Sequence, residues 1–282
     1  MPEGPEVEIV RRGLLPVVGN VIESISITTF PKYSNQKKLF NCIKGSSIHD
    51  LQRKGKFIIW YFDDLIGINH LGMTGVWYYF SNSIWNTMES PLLLYKHFKV
   101  YFQTDKLEHL LFNDTRTFGR FDIISPTNLE TYPALINIGP DVLDIPFNTE
   151  DFILRVRGKY KAKTKEIGKM LLDSTVVAGC GNIYKSEALF RAGLNPFKSA
   201  VEITDDELQK LACELSNVTQ EALSKGGSTL KDYRHVNGYN GLMQNEFNVY
   251  NREDLPCNIC SQPILRTVQG DRSTFWCRHC QI

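Results

Sequence analysis

Residues 21–124 carry short runs of β-branched and aromatic side chains separated by turn residues. The runs at 21–30, 57–62, 76–80, 98–102 and 109–112 predict strands of an antiparallel β domain, because such side chains suit a pleated, half-buried surface. Between 131 and 147 the pattern fails: Pro133, Pro140 and Pro146 with Gly139 break every periodicity, and a boundary is expected there. Beyond it the hydrophobic period lengthens to that of a helix. Asn148 or Thr149 caps the first helix, with Glu150 and Asp151 in a first turn where acids complement the dipole. Thr204 and Glu207 form a capping box, Leu208, Leu211, Leu215, Val218 and Ala222 follow at three-four spacing, and Gly226 and Gly227 supply the stop. That stripe reads as core, not as a ligand site.

The pattern implies an α+β chain with a β-rich domain over 1–130, a linker over 131–147, a helical domain over 148–250 and a cysteine-bearing module over 251–282. At 282 residues and 42% hydrophobic content it has material for packed cores, which excludes disorder. A net charge of +1 carries no bulk signal for nucleic acid, so any electrostatic footprint must come from local segregation. The acidic opening and the lack of an apolar run near about 18 residues speak against a signal peptide and a membrane span, and a soluble intracellular protein is expected.

Cys257-x-x-Cys260 and Cys277-x-x-Cys280 are separated by sixteen residues, a zinc-ligand spacing. Four thiolates on two knuckles close a tetrahedron, and so short a module needs a metal in place of a core. The other reading, two disulfides, lacks a secretory context. Cys42, Cys180 and Cys213 are expected to be small buried hydrophobes.

Several constellations can carry chemistry. The opening Met-Pro-Glu-Gly-Pro-Glu-Val-Glu is a poor strand and a poor helix nucleus. With Met1 removed, Pro2 becomes a secondary amine with a pKa of about 8, able to attack a sugar C1′; Glu3 can shuttle protons and Glu6 can support the amine. The alternative is a plain helix entry ahead of Val7. His70-Leu-Gly-Met-Thr-Gly75 and Asp114-Thr-Arg-Thr-Phe-Gly119 offer Met73, Arg116 and Phe118 as wedges for a base stack, or as two core residues and a surface charge. Arg155, Arg157, Lys159, Lys161, Lys163, Lys165 and Lys169 against Glu166 alone make a field for phosphates or a solvated face. Gly179-Cys-Gly-Asn-Ile-Tyr-Lys-Ser-Glu187 leads glycines into a helix whose N–H groups and Asn182 amide can hold a phosphate. Arg272 lies between the cysteine pairs, where a hairpin can aim it at DNA.

From Pro2 to Gln281 the chain resembles the formamidopyrimidine-DNA glycosylase and endonuclease VIII family. The resemblance rests on Pro2-Glu-Gly-Pro-Glu6, Arg53-Lys-Gly-Lys56, His70-Leu-Gly-Met-Thr-Gly75, Gly181-Asn-Ile-Tyr-Lys-Ser-Glu187, Gly226-Gly-Ser-Thr-Leu-Lys-Asp232 and the four cysteines, in this order. It implies an N-terminal β-sandwich, a helical domain with a helix-two-turn-helix element, and a C-terminal four-cysteine zinc finger. It implies a bifunctional DNA glycosylase and AP lyase acting on double-stranded damaged DNA as a monomer, with no membrane and one structural zinc ion as the metal. Pro2 would be the Schiff-base nucleophile, Glu3 the proton donor for base release and Lys56 the helper of β-elimination. Arg272 would contact phosphate during δ-elimination. His70, His97, Arg116 and Lys163 correspond to DNA contacts, Asn182 to a phosphate clamp, and Met73, Arg116 and Phe118 to a void-filling trio. Gly4 resembles the endonuclease VIII side, which favours oxidised pyrimidines. The trio and the segment after Gly226 lean towards the side that removes 8-oxoguanine and formamidopyrimidines. A non-catalytic lesion-binding protein on the same fold is the alternative.

Overall fold

The computed structural model describes residues 2–88, 92, 95–158, 165–229 and 240–282. They form two compact units. One comprises Pro2, Glu6–Ile136 and Ser228–Gly241; the other comprises Glu3–Pro5, Asn137–Gly227 and Leu242–Ile282.

The first unit is built on two four-stranded antiparallel sheets. Its strands are β1 (Ile22–Ile27), β2 (Asp50–Lys54), β3 (Phe57–Tyr61), β4 (Ile66–His70), β5 (Gly75–Phe80), β6 (Phe98–Thr104), β7 (His109–Asp114) and β8 (Arg120–Ile124). The sheet orders are β1-β6-β7-β5 and β2-β3-β4-β8. Trp60, Trp77, Phe102, Phe112 and Phe121 share one core, with ring centroids 5.2 Å apart for Trp60 and Trp77 and 5.3 Å for Trp77 and Phe112. The opening residues do enter a helix, Gly4–Leu14, whose Val7, Val10 and Leu14 face this core at helical spacing. Each expected run contains a strand, although the first extends past β1 to residue 30 and the second past β3 to residue 62, and β2, β4 and β8 are not among the expected runs. β2 reads Asp-Leu-Gln-Arg-Lys and buries only Leu51, as an edge strand with one neighbour.

The second unit is helical. Asn148 caps the helix Thr149–Gly158 by accepting the Asp151 N–H at 3.0 Å. The helix Asp205–Ser224 opens on the expected capping box: Thr204 Oγ1 accepts from Glu207 N, and Glu207 accepts from Thr204 N at 2.7 Å. Its stripe Leu208, Leu211, Leu215, Val218 and Ala222 is fully buried. The stop is a tight turn in which Gly227 N–H closes on Ala222 O at 2.7 Å. Helix Asn182–Ala192 is buried almost throughout, and the chain ends in the hairpin β9 (Leu265–Gln269) and β10 (Arg272–Trp276). Among the described residues, no helix is long and apolar enough to cross a membrane.

Two expectations need correction. Of the lone cysteines only Cys180 is buried; Cys42 and Cys213 are exposed. Cys213 lies off the Leu208–Ala222 stripe, so the period that buries those positions turns it outward. The arginines of the basic run are used internally. Arg155 pairs with Asp151 and donates to the Thr175 and Asn137 carbonyls, while Arg157 pairs with Asp205 and donates to the Ala200 and Ile203 carbonyls.

Candidate active site and zinc centre

In the helical unit, Glu3 is 2% exposed and its carboxylate accepts the N–H groups of Ile183 at 2.9 Å and Tyr184 at 3.3 Å. These donors belong to a helix first turn, where the dipole also favours a negative charge. Gly181 makes the approach possible, because a Cβ there would lie 2.2 Å from Glu3 Cδ. Gly4 N–H donates to Gly179 O at 2.8 Å, which pins the chain on the far side of Glu3. The helix opening thus receives a carboxylate from the chain itself, where its sequence suggests a phosphate.

Asn182, first residue of that helix, donates from Nδ2 to Ser273 O on β10 at 2.7 Å and accepts from Lys185 Nζ at Oδ1 at 2.9 Å. Its amide also bonds the Tyr250 hydroxyl. Burial and the Glu3 charge push the Tyr250 hydroxyl up, so it keeps its proton, while Asn182 and Arg272 act the other way. Tyr250 is held there by Glu187, whose carboxylate accepts the N–H groups of Asn248, Val249 and Tyr250 at 2.9, 3.0 and 2.8 Å. Arg272 opens β10 opposite Gln269 and is exposed. Sequence reading missed Tyr250 and Lys185. Only the three-residue spacing from Asn182 to Lys185, one helix face, hinted at the latter.

The four cysteine sulfurs lie within 4.8 Å of one another, with Cys257 and Cys280 at 3.9 Å and Cys260 and Cys277 at 3.5 Å. A tetrahedron with Zn–S bonds of about 2.3 Å has edges of about 3.8 Å, so the set fits one zinc ion with every position filled by protein. Burial and three neighbouring thiols push the Cys280 thiol up, a repulsion that a divalent cation relieves. Phe190, Val249, Ile264 and Phe275 pack around the cluster.

In the sheet unit, Glu6 is 1% exposed and accepts the Ser228 N–H at 2.8 Å and its hydroxyl at 3.0 Å. Pro2 is buried. Lys56, half-buried, follows Gly55 in the β2–β3 turn, which Arg53 closes by donating to Gly55 O at 2.9 Å. Arg53 also meets Glu8 at 3.4 Å, tying the turn to the opening helix. Burial acts to raise the Glu8 carboxyl, but hydrogen bonds from Arg11 and Arg12 outweigh it and hold the group below the usual carboxylate range.

Met73 and Phe118 are 36% and 55% exposed, and the Arg116 guanidinium stacks 5.0 Å from the Phe118 ring centre. Their reading as core residues therefore fails. The two loops that carry them are drawn together at Gly72, which has φ +66° and where a Cβ would lie 2.5 Å from Gly119 N. Asp114 accepts from Thr74 Oγ1 at 2.5 Å and from Gly119 N at 2.6 Å, and Lys32 donates to the Thr117 and Gly119 carbonyls at 2.8 and 3.0 Å. These side chains are exposed, yet the backbone that carries them is braced. His70 Nδ1 accepts the Gly72 N–H at 3.1 Å, so Nε2 carries the ring proton. Burial, then the Lys56, Arg120 and Lys32 charges, push His70 down to about 4, leaving a neutral donor at neutral pH. His97 is exposed just before β6. Lys163 and residues 230–232 of the Gly226 motif lie outside the described residues.

A β-sandwich presenting an exposed Met73, Arg116 and Phe118 and a helical unit ending in a hairpin flanked by four clustered cysteines fit a zinc-finger DNA glycosylase, and comparison with known proteins agrees. Residues 1–121 match the formamidopyrimidine-DNA glycosylase N-terminal domain, 138–234 its H2TH domain, and 254–282 the zinc finger found in FPG and IleRS. A formamidopyrimidine-DNA glycosylase of Wolbachia sp. subsp. Brugia malayi is 35% identical, with 100% of each chain covered. The MutM (Fpg) protein of Thermus thermophilus superposes with TM-score 0.84 at 34% identity, covering 99% of this chain and 98% of that one. Lactococcus lactis Fpg bound to N7-benzyl-Fapy-dG DNA gives 0.86 at 30% identity, with 99% of each covered. The chain belongs to the formamidopyrimidine-DNA glycosylase family, an enzyme family whose activity joins base excision to AP lyase cleavage, and the non-catalytic alternative gives way to that reading.

Proposed function

We propose that this enzyme, working inside the cell as a monomer, removes oxidised purines, 8-oxoguanine and formamidopyrimidines, from double-stranded DNA and cuts the strand by β,δ-elimination. The observation that carries the reading is the buried Glu3 carboxylate, fixed by two helix N–H groups directly after Pro2 in sequence. With Met1 removed, the Pro2 amine attacks C1′, and the proton it loses on forming the iminium passes by way of the Glu3 carboxylate to the departing base. The resulting iminium makes the C2′ proton acidic. Lys56 assists its removal and the 3′ phosphate leaves; Arg272 steadies the 5′ phosphate through the second elimination, so that a one-nucleotide gap remains. Glu6 supports the site through Ser228 at the root of the segment taken to fold over the flipped base. Zinc, when bound, orders the hairpin that carries Arg272.

Met73, Arg116 and Phe118 fill the space left by the extruded base, and their exposure suits that task. His70, His97, Lys163 and Asn182 take phosphates. The purine preference is supported by this trio. Borohydride trapping on duplexes carrying 8-oxoguanine opposite cytosine or an oxidised pyrimidine, with mass mapping of the adduct, tests the reading. A crosslink at Pro2, formed faster on the 8-oxoguanine duplex, is expected. A crosslink elsewhere, or full trapping by Pro2→Gly, would sink the nucleophile assignment; faster trapping on the pyrimidine would overturn the preference.

A further inference from the structure

Lys185 lies one helical turn after Asn182 and is 0% exposed. A fully buried lysine is rare unless paired. Among the described residues its Nζ bonds two neutral oxygens, Asn182 Oδ1 at 2.9 Å and Thr274 Oγ1 at 2.7 Å, and no carboxylate. Such placement costs free energy and calls for a reason beyond packing.

The reason lies in the direction of the hydrogen bonds. An ammonium donates and never accepts. Asn182 must therefore turn Oδ1 to Lys185, which sends Nδ2 to Ser273 O and to the Tyr250 hydroxyl. Without the lysine the amide is free to turn over, and two carbonyl oxygens would then face each other at Ser273. The same logic runs along the hairpin. Thr274 Oγ1 accepts from Lys185 and so gives its own proton to Gln269 Oε1 at 3.0 Å; Gln269 Nε2 in turn donates to Glu166 Oε2 and Pro196 O, both at 2.8 Å. One cation sets the polarity of a chain linking the helix opening to both strands of the β9–β10 hairpin, on which Arg272 stands.

We propose that Lys185 is a positioning residue for DNA binding and strand cleavage that acts through Asn182: it holds the amide so that Nδ2 stays on Ser273 O, which keeps the hairpin in the register that presents Arg272 to the phosphate backbone. This rests on the reading of Asn182 and Arg272 as parts of the phosphate-binding surface. Lys185 reaches no substrate itself. The groups that face it are Cys180 and Glu3, which favour its charge, and Arg272, which opposes it; Thr274 and Asn182 are neutral. Burial outweighs the attractions and pushes the ammonium down to about 8. Raising the pH through that value removes the charge, and the anchor weakens.

The test is equilibrium binding of the zinc-loaded full chain to a duplex holding a tetrahydrofuran abasic-site analogue, measured between about pH 6.5 and about 9.5 to span the lysine titration. Native protein is compared with Asn182→Ala, Lys185→Met and the double variant. Each single variant is expected to weaken binding by about tenfold, and the double by no more than Asn182→Ala alone, as residues acting through one another do. Native affinity should fall above about pH 8, and this fall should vanish in both single variants although the Pro2 amine titrates in all of them. Multiplying losses in the double variant would make Lys185 merely structural and overturn the proposal. Native binding by Lys185→Met with weakened Asn182→Ala would overturn it while sparing the clamp; native binding by Asn182→Ala would remove the clamp itself. Should Lys185→Met fail to fold, an alkaline fall that survives in Asn182→Ala overturns the proposal by itself.

Discussion

The helical unit and the sheet unit treat their functional side chains in opposite ways. In the helical unit Glu3 and Lys185 are 2% and 0% exposed, and each is fixed by named partners at helix Asn182–Ala192. In the sheet unit Met73 and Phe118 project into solvent, and only the backbone beneath them is braced. On the proposed reading of Glu3 as a proton carrier and of Met73 and Phe118 as a wedge, the contrast follows from what each task needs. Proton transfer needs a carboxylate held to fractions of an ångström, which burial and full hydrogen bonding provide. A wedge must be free to enter a base stack, so its apolar surface has to stay uncovered until DNA arrives.

The largest expected effect comes from taking away the zinc ion that the four cysteines of the helical unit would hold. Structural zinc in small fingers contributes on the order of 10 kcal/mol, far more than the small buried cluster of Phe190, Val249, Cys257, Ile264, Phe275 and Cys277 could supply alone. Chelation should therefore unfold the hairpin and stop strand cleavage, with recovery on adding zinc. The near-ultraviolet signal of the buried Trp60 and Trp77 core should persist, because that core belongs to the other unit. Cleavage at the native rate by fully chelated protein, or collapse of both signals together, would break the contrast.

Next in size is Gly181→Ala, which aims at the closest approach in the helical unit. The new Cβ would meet Glu3 Cδ at 2.2 Å and Oε1 at 2.4 Å, so either the carboxylate or the helix opening must move. Overpacking of this kind costs about 1–3 kcal/mol. The chemical effect should be larger than the thermal one: single-turnover base excision is expected to drop by about 100-fold, since small misplacements of reacting groups carry such losses. Excision at the native rate would show that Glu3 tolerates displacement, and the argument from rigidity would fail.

What the sequence displayed of this arrangement is what repeats or sits close together. The stripe Leu208 to Ala222, the box Thr204 and Glu207, and the cysteine pairs are local patterns with fixed offsets, and all are present. β2 was invisible because an edge strand with one buried residue has no hydrophobic alternation to read. Arg155 and Arg157 looked like a phosphate field because their acceptors, the Thr175 and Ala200 carbonyls, are backbone atoms that leave no trace in composition. Lys185 and Thr274 are 89 positions apart, and Glu187 holds Tyr250 across 63. Such pairings exist only once the chain has folded. The opening motif starts a helix, as its plainer reading expected, and its Glu3 is at the same time buried.

The smallest effect on the folded state should come from Phe118→Ala. The ring is 55% exposed, and its contact of note is the Arg116 guanidinium at 5.0 Å, so stability should change by less than about 0.5 kcal/mol, as for other surface positions. Affinity is another matter. A ring that stacks against a base contributes about 1–3 kcal/mol, so binding to a duplex with an abasic-site analogue should weaken by about tenfold, and Phe118→Trp should retain most of it. Thermal melts and titrations on the same preparations read the two quantities side by side. A large loss of stability with unchanged affinity would return Phe118 to the core and erase the difference between the units. The expected opposite result would show that the sheet unit keeps apolar surface in water because it binds there, at almost no gain to its own fold.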